Sequence, residues 1–593
     1  MNISRHLRTY AAALLACVAL GCVESNNKNT PQDFDPNKPE KGDWIILHEL
    51  SDPEGLNPVT TNDASSRDIY TKIFEPLLVL DYQTSQYRPE LAETMPTVSD
   101  DHLTYTFTLK KNIKFSDGKP LTAKDVIFTI KAIKNPLVID AAALRNYYES
   151  LEDVQATDDY TIVFRMNKPY FMAEFQLGNT YILPKHVFDP KNLTDQYTIP
   201  QTNDVKQVEN NAAMKEFAEW FGAADRKREP KYMIGSGPYI AEEWRTNEYV
   251  RLMRNENYWN KGNDEDAAAY PDKLVYKTVN DVNSAVVALK NSELDMIPTI
   301  TPPKLWVETI DTVATPHITK VRYAQTIYTY IGWNNRKPYF SDKKVRQALS
   351  HLVDRERLRQ QVNRGFGQLQ NTVIYKNLPE YNSALPAYDF NVEKAKQLLS
   401  EAGWKDSDGN GILDKTINGK KTDFTFTFFV NAGNEVRENI ALIVSEEMKK
   451  VGIKANVQKQ EWTVYLENIR SGQFDASIGS WVNDPTPSDP YQLWHSSQTK
   501  NKGSNYVGFI NARVDQLLEM NRVEFDAQKR VEYMKEFQTI VHDEQPYTVL
   551  WLSEIPGAYN KRLQNVKFYS PRPGYNPTTF WVPKSMQKYT VTQ

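Results

Sequence analysis

The stretch that organises this chain is Phe474-Asp-Ala-Ser-Ile-Gly-Ser-Trp-Val-Asn-Asp-Pro-Thr-Pro-Ser-Asp-Pro-Tyr491. Its apolar first half predicts a buried strand, which is followed by an acid and three prolines that fix the chain in a turn. We expect this strand to deliver Trp481 and Asp484 to the edge of a cleft. A carboxylate in that position is suited to pairing with a positively charged group of a ligand.

The length and composition indicate a globular protein of several domains. At 593 residues the chain is too long for one hydrophobic core, because domains usually contain about 100–200 residues. Hydrophobic residues make up 40% and charged residues 25%, which is typical of folded proteins. The 71 basic and 75 acidic residues give a formal charge of −4, and there is no basic tail or stripe, so nucleic acid is not expected as a partner.

The amino terminus has the pattern of a signal peptide. Residues 1–21 begin with basic side chains and continue with an apolar run of about a dozen residues, shorter than the ~18 that span a bilayer. Small residues precede Cys22, which resembles the lipidation site of a bacterial lipoprotein; cleavage before Cys17, or an ordinary secretory signal, is the alternative. Residues 22–43 are polar and interrupted by prolines, which predicts a flexible tether.

The two cysteines lie in the first 22 residues, so the mature body has neither a disulfide framework nor a cysteine metal site.

Within that body, Leu103–Leu109 alternates large apolar residues with threonine, which predicts a half-buried strand. Thr122, followed three residues later by an acid, predicts a capped helix. Strand, helix and strand are predicted in turn at Phe424–Val430, Glu438–Val451 and Ala455–Gln458. This alternation indicates an α/β lobe with a largely parallel sheet.

Short motifs follow one another along nearly the whole mature chain. They are Leu56-Asn-Pro58, Phe74-Glu-Pro-Leu-Leu78, Phe115-Ser-Asp-Gly-Lys-Pro-Leu-Thr-Ala-Lys-Asp-Val126, Gly235-Ser-Gly-Pro-Tyr239, Arg254-Asn-Glu-Asn-Tyr-Trp259, Lys344-Val-Arg-Gln-Ala-Leu349, Lys394-Ala-Lys-Gln-Leu-Leu-Ser-Glu-Ala-Gly403 and Gln545-Pro-Tyr-Thr-Val-Leu550. In this order they resemble family 5 of the bacterial extracellular solute-binding proteins, the peptide, dipeptide and nickel binders of ABC transporters.

The resemblance implies an α/β fold of the periplasmic-binding-protein type II class, in which two lobes joined by hinge strands close over a ligand. It also implies that the first lobe is discontinuous and carries an additional, inserted domain. We expect lobe I in residues 44–73, 185–331 and 555–593, the inserted domain in residues 74–184, and lobe II in residues 332–554.

The resemblance also suggests ligand-binding residues. In peptide-binding relatives, the ligand backbone pairs as an added strand, and an acid in a Trp-x-x-Asp pattern holds the ligand ammonium. Trp481-Val-Asn-Asp484 matches that pattern, so Asp484 is the expected anchor, with Trp481 and Asn483 beside it. Asn62 is the candidate in the early pocket loop, where some relatives carry an acid. The alternatives are a solvated turn acid for Asp484, a core position for Trp481, and Asp489 as a second anchor.

Other motifs favour structural roles. Asp406-Ser-Asp-Gly-Asn-Gly-Ile-Leu-Asp414 has oxygen ligands at alternate positions, as a calcium loop does, but Ile417 stands where the bidentate acid is needed. A polar turn is therefore favoured over a metal site. The eight histidines show no close metal spacing, and no serine lies in a Gly-x-Ser-x-Gly motif. We therefore expect no metal, no cofactor and no catalytic residues.

The sequence thus predicts a receptor that is lipid-anchored to a bacterial membrane and faces the periplasm or the cell exterior. It is expected to capture short peptides between two closing lobes and deliver them to an ABC transporter permease. The alternatives are the same fold with another cargo, such as a nickel chelate, haem or an oligosaccharide, or a nutrient lipoprotein without a permease. The expected receptor is a monomer that touches the membrane only through its lipid anchor.

Overall fold

The computed structural model describes residues 38–61, 63–262, 268–483, 487–499 and 503–589. Three predicted functional residues, Cys22, Asn62 and Asp484, lie outside the described residues, as do the predicted signal peptide and most of the tether. Among the described residues, no helix combines the length and the apolar character that crossing a bilayer requires.

The strands of the described chain are grouped into four sheets. They are β1 Trp44–Glu49, β2 Leu78–Leu80, β3 Tyr87–Pro89, β4 Thr97–Val98, β5 Thr104–Thr108, β6 Leu151–Ala156, β7 Thr161–Met166, β8 Tyr239–Arg245, β9 Tyr249–Arg254, β10 Lys273–Thr278, β11 Met296–Ile297, β12 Ile318–Trp333, β13 Gln368–Leu369, β14 Asp414–Ile417, β15 Lys420–Asp423, β16 Thr425–Asn431, β17 Lys454–Gln460, β18 Ala476–Val482 and β19 Tyr547–Asn560.

The α-helices are mostly short. They are α1 Ala64–Tyr70, α2 Ala123–Lys134, α3 Ala142–Arg145, α4 Ala173–Gly178, α5 Lys185–Phe188, α6 Ile199–Thr202, α7 Val205–Asn210, α8 Ala212–Gly222, α9 Ala224–Arg228, α10 Val282–Lys290, α11 Pro303–Thr309, α12 Lys343–His351, α13 Arg355–Gln361, α14 Val392–Glu401, α15 Glu435–Lys449, α16 Trp462–Arg470, α17 Tyr491–Trp494, α18 Ala512–Val523 and α19 Ala527–Glu544.

The sequence patterns predict the local elements well. Thr122 and Asp125 form the predicted capping box at the start of α2. The alternating stretch forms β5, with Tyr105 and Phe107 buried on one face. The predicted strand, helix and strand of the later chain are β16, α15 and β17, with bounds that differ by a few residues.

The largest sheet has 11 strands and extends through the whole fold. Its order is β17-β16-β18-β12-β19-β11-β1-β10-β9-β8, with β13 also paired to β19. β16 is parallel to both β17 and β18, as predicted. The prediction of a largely parallel sheet is nevertheless wrong, because β12 is antiparallel to both β18 and β19. These long strands connect the two halves of the sheet in opposite directions, and the local periodicity does not encode their direction.

The pairing of β12 with β19 is interrupted in the middle. Ile318–Ala324 pairs with Glu554–Asn560, and Tyr328–Gly332 pairs with Tyr547–Leu552. Between these two blocks β12 contains three residues, whereas β19 contains only Ser553. Such a bulge disrupts the hydrogen-bond ladder and bends the strand locally. The two halves of the sheet therefore meet at an irregular crossing.

Hydrophobic cores lie on both sides of this crossing. One combines the start, middle and end of the chain, for example Ile45, Phe107, Leu252 and Phe580, all fully buried. Two others are built from side chains between residues 328 and 551. Phe107 belongs to the four-stranded sheet β4-β5-β7-β6, so the region predicted as an inserted domain shares its core with the rest of the first half. The predicted domain boundaries themselves stay a prediction.

Two of the motifs meet in a close backbone contact. The Gly237 amide donates to the Ile73 carbonyl oxygen at 2.8 Å. A Cβ at Gly235 would lie 1.8 Å from that same oxygen, so a side chain there would prevent the approach. The glycines of the Gly-Ser-Gly motif thus serve a structural turn.

The buried carboxyl of Glu75 joins two further motif pieces. The Tyr258 hydroxyl donates to one of its oxygens, and the Trp259 indole nitrogen donates to the other at 2.8 Å. Burial, together with the neighbouring Glu90, raises the pKa of Glu75 to about 8 despite these donors. The carboxyl is therefore mostly protonated at neutral pH in the folded chain.

Glu75→Gln should make the thermal stability depend less on pH. The folded pKa of about 8 lies above the unfolded value of 4.5, so the natural chain loses stability as the pH rises between these values. Glutamine cannot ionise and should remove up to a few kcal/mol of this loss. We expect the melting temperature to fall less for the variant than for the natural chain between about pH 5 and pH 8.

The control is Glu393→Gln, at an exposed position of α14, which should keep the natural pH dependence. Parallel melting curves for the Glu75 variant and the natural chain would contradict the assignment of a buried, protonated Glu75.

Candidate functional site

A cavity of about 630 Å³ lies between residues 146–176 and residues 328–523. Trp481 and Asn483, two of the predicted ligand-binding residues, line it. They stand at the end of β18, the strand predicted from the opening stretch. Asp484 follows them directly in the chain, but it lies outside the described residues.

Trp481 serves both as core and as cavity wall. Its ring lies 5.5 Å from that of Tyr506, and its indole nitrogen donates to the Tyr547 hydroxyl at 3.3 Å. The side chain is only partly buried, and its remaining surface faces the cavity. The two interpretations of Trp481 are therefore compatible.

The backbone of Asn483 pairs the end of β18 with β12, while its side-chain amide nitrogen has no hydrogen-bond partner among the described residues. Its backbone amide donates to the Thr326 carbonyl oxygen of β12 at 2.6 Å. Its side-chain Nδ2 is buried without a hydrogen-bond partner among the described residues, as is the hydroxyl of Tyr328 on the same cavity wall. An unpaired buried donor costs about 1–3 kcal/mol, so a ligand acceptor here would be favourable.

Part of one edge of β18 has no partner strand among the described residues. β16 reaches only Ala476 and Ser477, so within the described chain the rest of the strand pairs with β12 alone. Val482 lies at the end of this unpaired part, is 51% exposed and lines the cavity. The free edge thus leads into the cavity.

The direction of the main-chain groups follows from two hydrogen bonds. The Asn483 amide points towards β12, whereas the Ile478 carbonyl oxygen points the other way and accepts from the Tyr465 hydroxyl at 2.8 Å. Main-chain groups alternate in direction along an antiparallel strand. Those of Ser480 and Val482 therefore point away from β12, where an extended ligand chain can complete their hydrogen bonds.

Asp489, the second candidate anchor, already has partners. Its carboxylate accepts from the Tyr170 hydroxyl at 2.7 Å and from Arg522 Nε at 3.0 Å, and the side chain is 11% exposed. It also accepts from the Tyr491 amide at 3.3 Å, as a turn acid does. The backbone amide of Phe171 donates to the Arg522 carbonyl oxygen at 2.9 Å. Asp489 thus links the two walls of the cavity.

A ring contact extends this link. His102 stacks on Phe525 with ring centroids 3.5 Å apart, and the Arg530 guanidinium lies 4.8 Å from the Phe171 ring. We call these contacts of residues 102 and 170–171 with residues 489 and 522–530 the clasp. Sequence analysis did not find the clasp, because its members lie hundreds of residues apart and share no motif.

A second polar cluster lies where α1 meets the carboxyl-terminal segment. Burial, followed by the neighbouring Asp68, raises the pKa of Glu49 to about 8. Burial also raises the pKa of Asp68, to about 6, against the nearby Arg572. The Tyr575 hydroxyl and Asp68 Oδ1 are buried without a partner among the described residues. No pattern in the sequence brings these residues together.

The calcium-like loop contains its own cation. Ligand atoms of Asp406, Asp408 and Asp414 lie within 4.8 Å of one another. The Lys421 ammonium bonds to Asp408 and lies 3.6 Å from Asp414, which also accepts from the Ser407 amide at 2.8 Å. One lysine therefore offsets part of the negative charge of this group, and the polar turn stays a prediction.

Comparisons with known proteins give a consistent picture. The model of the bacterial extracellular solute-binding proteins, family 5, matches residues 86–504. The oligopeptide-binding protein AppA of Bacillus subtilis is 33% identical over 584 residues, 96% of this chain and 97% of AppA. The heme-binding protein A of Haemophilus influenzae is 27% identical over 566 residues, 91% of this chain and 92% of that protein.

The structure of Bacillus subtilis AppA in complex with a nonapeptide superposes with a TM-score of 0.72 and 30% identity, covering 92% of this chain and 100% of AppA. The predicted type II fold with two lobes is thereby confirmed. Because the family model covers most of the chain and AppA matches almost its full length, this chain belongs to family 5 of the bacterial extracellular solute-binding proteins.

Proposed function

We propose that this protein captures short peptides outside the cytoplasmic membrane and delivers them to an ABC transporter. The observation that carries the proposal is the unpaired edge of β18, whose main-chain groups at Ser480 and Val482 point away from β12 beside the cavity. An edge of this kind recognises a peptide backbone irrespective of its side chains. The relation to AppA, which is named an oligopeptide-binding protein, supports the same ligand class.

The mechanism is capture by closure of two lobes, without chemical change of the ligand. In the proposed complex Asp484 pairs with the peptide ammonium, Asn483 donates to a peptide carbonyl, and Trp481 forms a wall. The division into lobe I, an inserted domain and lobe II at the boundaries given above is part of this proposal. The irregular crossing of β12 and β19 is the proposed hinge, since it lies where the two halves of the large sheet meet.

Haem is the second candidate cargo, because the heme-binding protein A of Haemophilus influenzae is a full-length relative. The exposed strand edge instead suits an extended chain. Peptide is therefore the preferred cargo.

Native mass spectrometry of the form lacking residues 1–22, purified without unfolding, tests the ligand class. Co-purified peptides of several masses are expected. A single haem, sugar or metal-chelate adduct would contradict the proposal. Turnover of a peptide substrate that persists through repurification would contradict the proposed mechanism.

Asp484→Asn should weaken the binding of peptides that have a free amino terminus. Loss of a buried charge pair costs about 3–5 kcal/mol, so the affinity should fall at least 100-fold, as measured by isothermal titration calorimetry. The melting temperature of the unliganded variant should stay near the natural value.

Peptides with an acetylated amino terminus provide the control for this prediction. They should bind the natural protein weakly and should lose little further affinity in the variant, because the two changes remove the same pair. Additive losses would remove Asp484 from the role of ammonium anchor.

The clasp is proposed to hold the closed form, and Phe525→Ala tests it. Phe525 stacks on His102 but does not line the cavity, so its effect on binding must act through closure. Truncation should weaken peptide affinity about 2- to 10-fold, mainly through faster dissociation measured by stopped-flow fluorescence. Leu442→Ala, at an exposed position of α15, is the control. Equal dissociation rates in all three proteins would argue against the clasp.

We also propose that the protein is a monomer held to the membrane through lipid on Cys22. Cys22→Ser should move the protein from the membrane fraction to the soluble fraction in its own host, as measured by fractionation and immunoblotting. Cys17→Ser should leave it in the membrane fraction. The opposite result would assign the lipid to Cys17, and membrane association in both variants would exclude a lipid anchor at either cysteine.

A further inference from the structure

Two arginines lack the partners that structural arginines usually have. Arg67 on α1 and Arg572 near the carboxyl end are both exposed. Among the described residues, neither guanidinium hydrogen-bonds, and neither has a carboxylate oxygen within 4.0 Å. An arginine that stabilises a fold by ion pairing commonly forms paired hydrogen bonds of about 2.8 Å. Within the described part of the chain, Arg67 and Arg572 therefore form no ion pair.

The two arginines belong to one cluster. Both act on the carboxyl group of Asp68: burial raises its pKa, while Arg572, Lys72 and Arg67 oppose the rise. Arg572 acts in the same direction on Glu49. Although they are far apart in sequence, the two guanidinium groups thus both lie in the neighbourhood of the Asp68 carboxyl.

This cluster lies beside the hinge that borders the ligand cavity. Gly574, in the turn that carries the second arginine, has φ 94° and packs closely on β12. A Cβ there would lie 2.7 Å from the Tyr323 ring and 3.3 Å from Gln325 Nε2. The next residue of β12, Thr326, accepts the hydrogen bond from Asn483. The arginine cluster and the end of β18 are therefore neighbours across the irregular part of β12.

Aromatic side chains form the walls around Arg67. Tyr181, Tyr70, Tyr82 and Tyr87 lie in the neighbourhood of its guanidinium. The Tyr70 and Tyr181 rings meet edge to face at 5.4 Å. The group is therefore accessible yet enclosed, as a ligand-binding side chain must be.

Two buried polar atoms without hydrogen-bond partners among the described residues belong to the same cluster. The Tyr575 side chain is only 2% exposed, yet its hydroxyl has no partner among the described residues, and the carboxyl groups of Asp68 and Glu49 lie nearby. Asp68 Oδ1 is likewise buried and unpaired. Buried polar groups normally have hydrogen-bond partners, so the unpaired Tyr575 hydroxyl is a donor that a ligand acceptor could satisfy.

The charges of the side chains in the cluster indicate whether the ligand is an anion or a cation. Arg67, Arg572 and the buried Lys72 are positive, while Asp63 and Asp68 are negative. Since burial raises the pKa of Glu49 to about 8, its carboxyl is mostly neutral at pH 7. The cluster therefore carries an excess positive charge that an anionic group would balance.

We propose that Arg67 and Arg572 form a carboxylate-binding subsite, so that the protein prefers peptides with an acidic group at this point of the cleft. The inference rests on the proposed peptide-binding function and adds a ligand preference to it. The carboxylate comes either from an aspartate or glutamate side chain or from the peptide carboxyl terminus. Both present the same planar acceptor to a guanidinium.

Competition binding with defined peptide pools tests the subsite. The pools contain alanine-based peptides of several lengths, each with one glutamate and a glutamine twin, and each with a free or an amidated carboxyl terminus. The peptides retained by the natural protein are quantified by mass spectrometry. We expect at least one acidic form to be preferred about 10-fold or more over its neutral twin. The position of that preference identifies the source of the carboxylate.

Arg67→Gln and Arg572→Gln should each reduce this preference to less than about 2-fold while neutral peptides still bind. Arg245→Gln, which removes an exposed guanidinium on β8 paired with Glu243, is the control and should keep the preference. Melting temperatures near the natural value verify that the variants are folded, and Arg67→Lys should restore part of the preference.

The outcomes separate this inference from the proposed function. Peptide binding without discrimination between acidic and neutral twins would overturn the subsite and leave peptide capture intact. Discrimination that survives in both arginine variants would also overturn it. Failure of every peptide to bind would overturn the proposed function and, with it, the subsite.

Discussion

The antiparallel pairing of β12 with β19 is the constraint on which the rest of the structure depends. Each strand runs through both halves of the large sheet, so the same pair of strands joins the two halves through two hydrogen-bonded blocks. The ladder is interrupted between Ala324 and Tyr328. A long paired segment on each side fixes each half internally, whereas the bulge lets the angle between the halves change at lower cost.

The same irregular segment positions the functional groups. The Thr326 carbonyl oxygen accepts from the amide of Asn483 at the end of β18. The neighbouring Gln325 packs against the turn that contains Gly574. The end of β18 and one turn from the carboxyl-terminal segment therefore lie against adjacent residues of β12. A motion at the bulge would change the distance between the end of β18 and the turn that contains Gly574. Closure would therefore depend on the ligand bound in the cleft.

Local physics made part of this arrangement predictable. The apolar run before Asp484 encodes β18, and the Thr122 capping box encodes the start of α2, because both depend on residues near in sequence. The family resemblance supplied the fold and the candidate anchor. The direction of β12 was not predictable from periodicity, since side-chain alternation is the same in parallel and antiparallel strands. The proximity of Arg572 to Asp68 of α1 depends on chain closure over about 500 residues.

The cleft is stabilised incompletely by the protein's own groups. On one side of the bulge, Asn483 Nδ2 and the Tyr328 hydroxyl are buried without partners among the described residues; on the other, the Tyr575 hydroxyl and Asp68 Oδ1 are. Each such group costs about 1–3 kcal/mol as long as no acceptor or donor reaches it. In the proposed mechanism, the contacts of the clasp favour the closed form, while the unpaired groups oppose it. A ligand that pairs with them removes this opposition and so shifts the population towards closure, which is how a binding protein reports occupancy to its transporter without doing any chemistry.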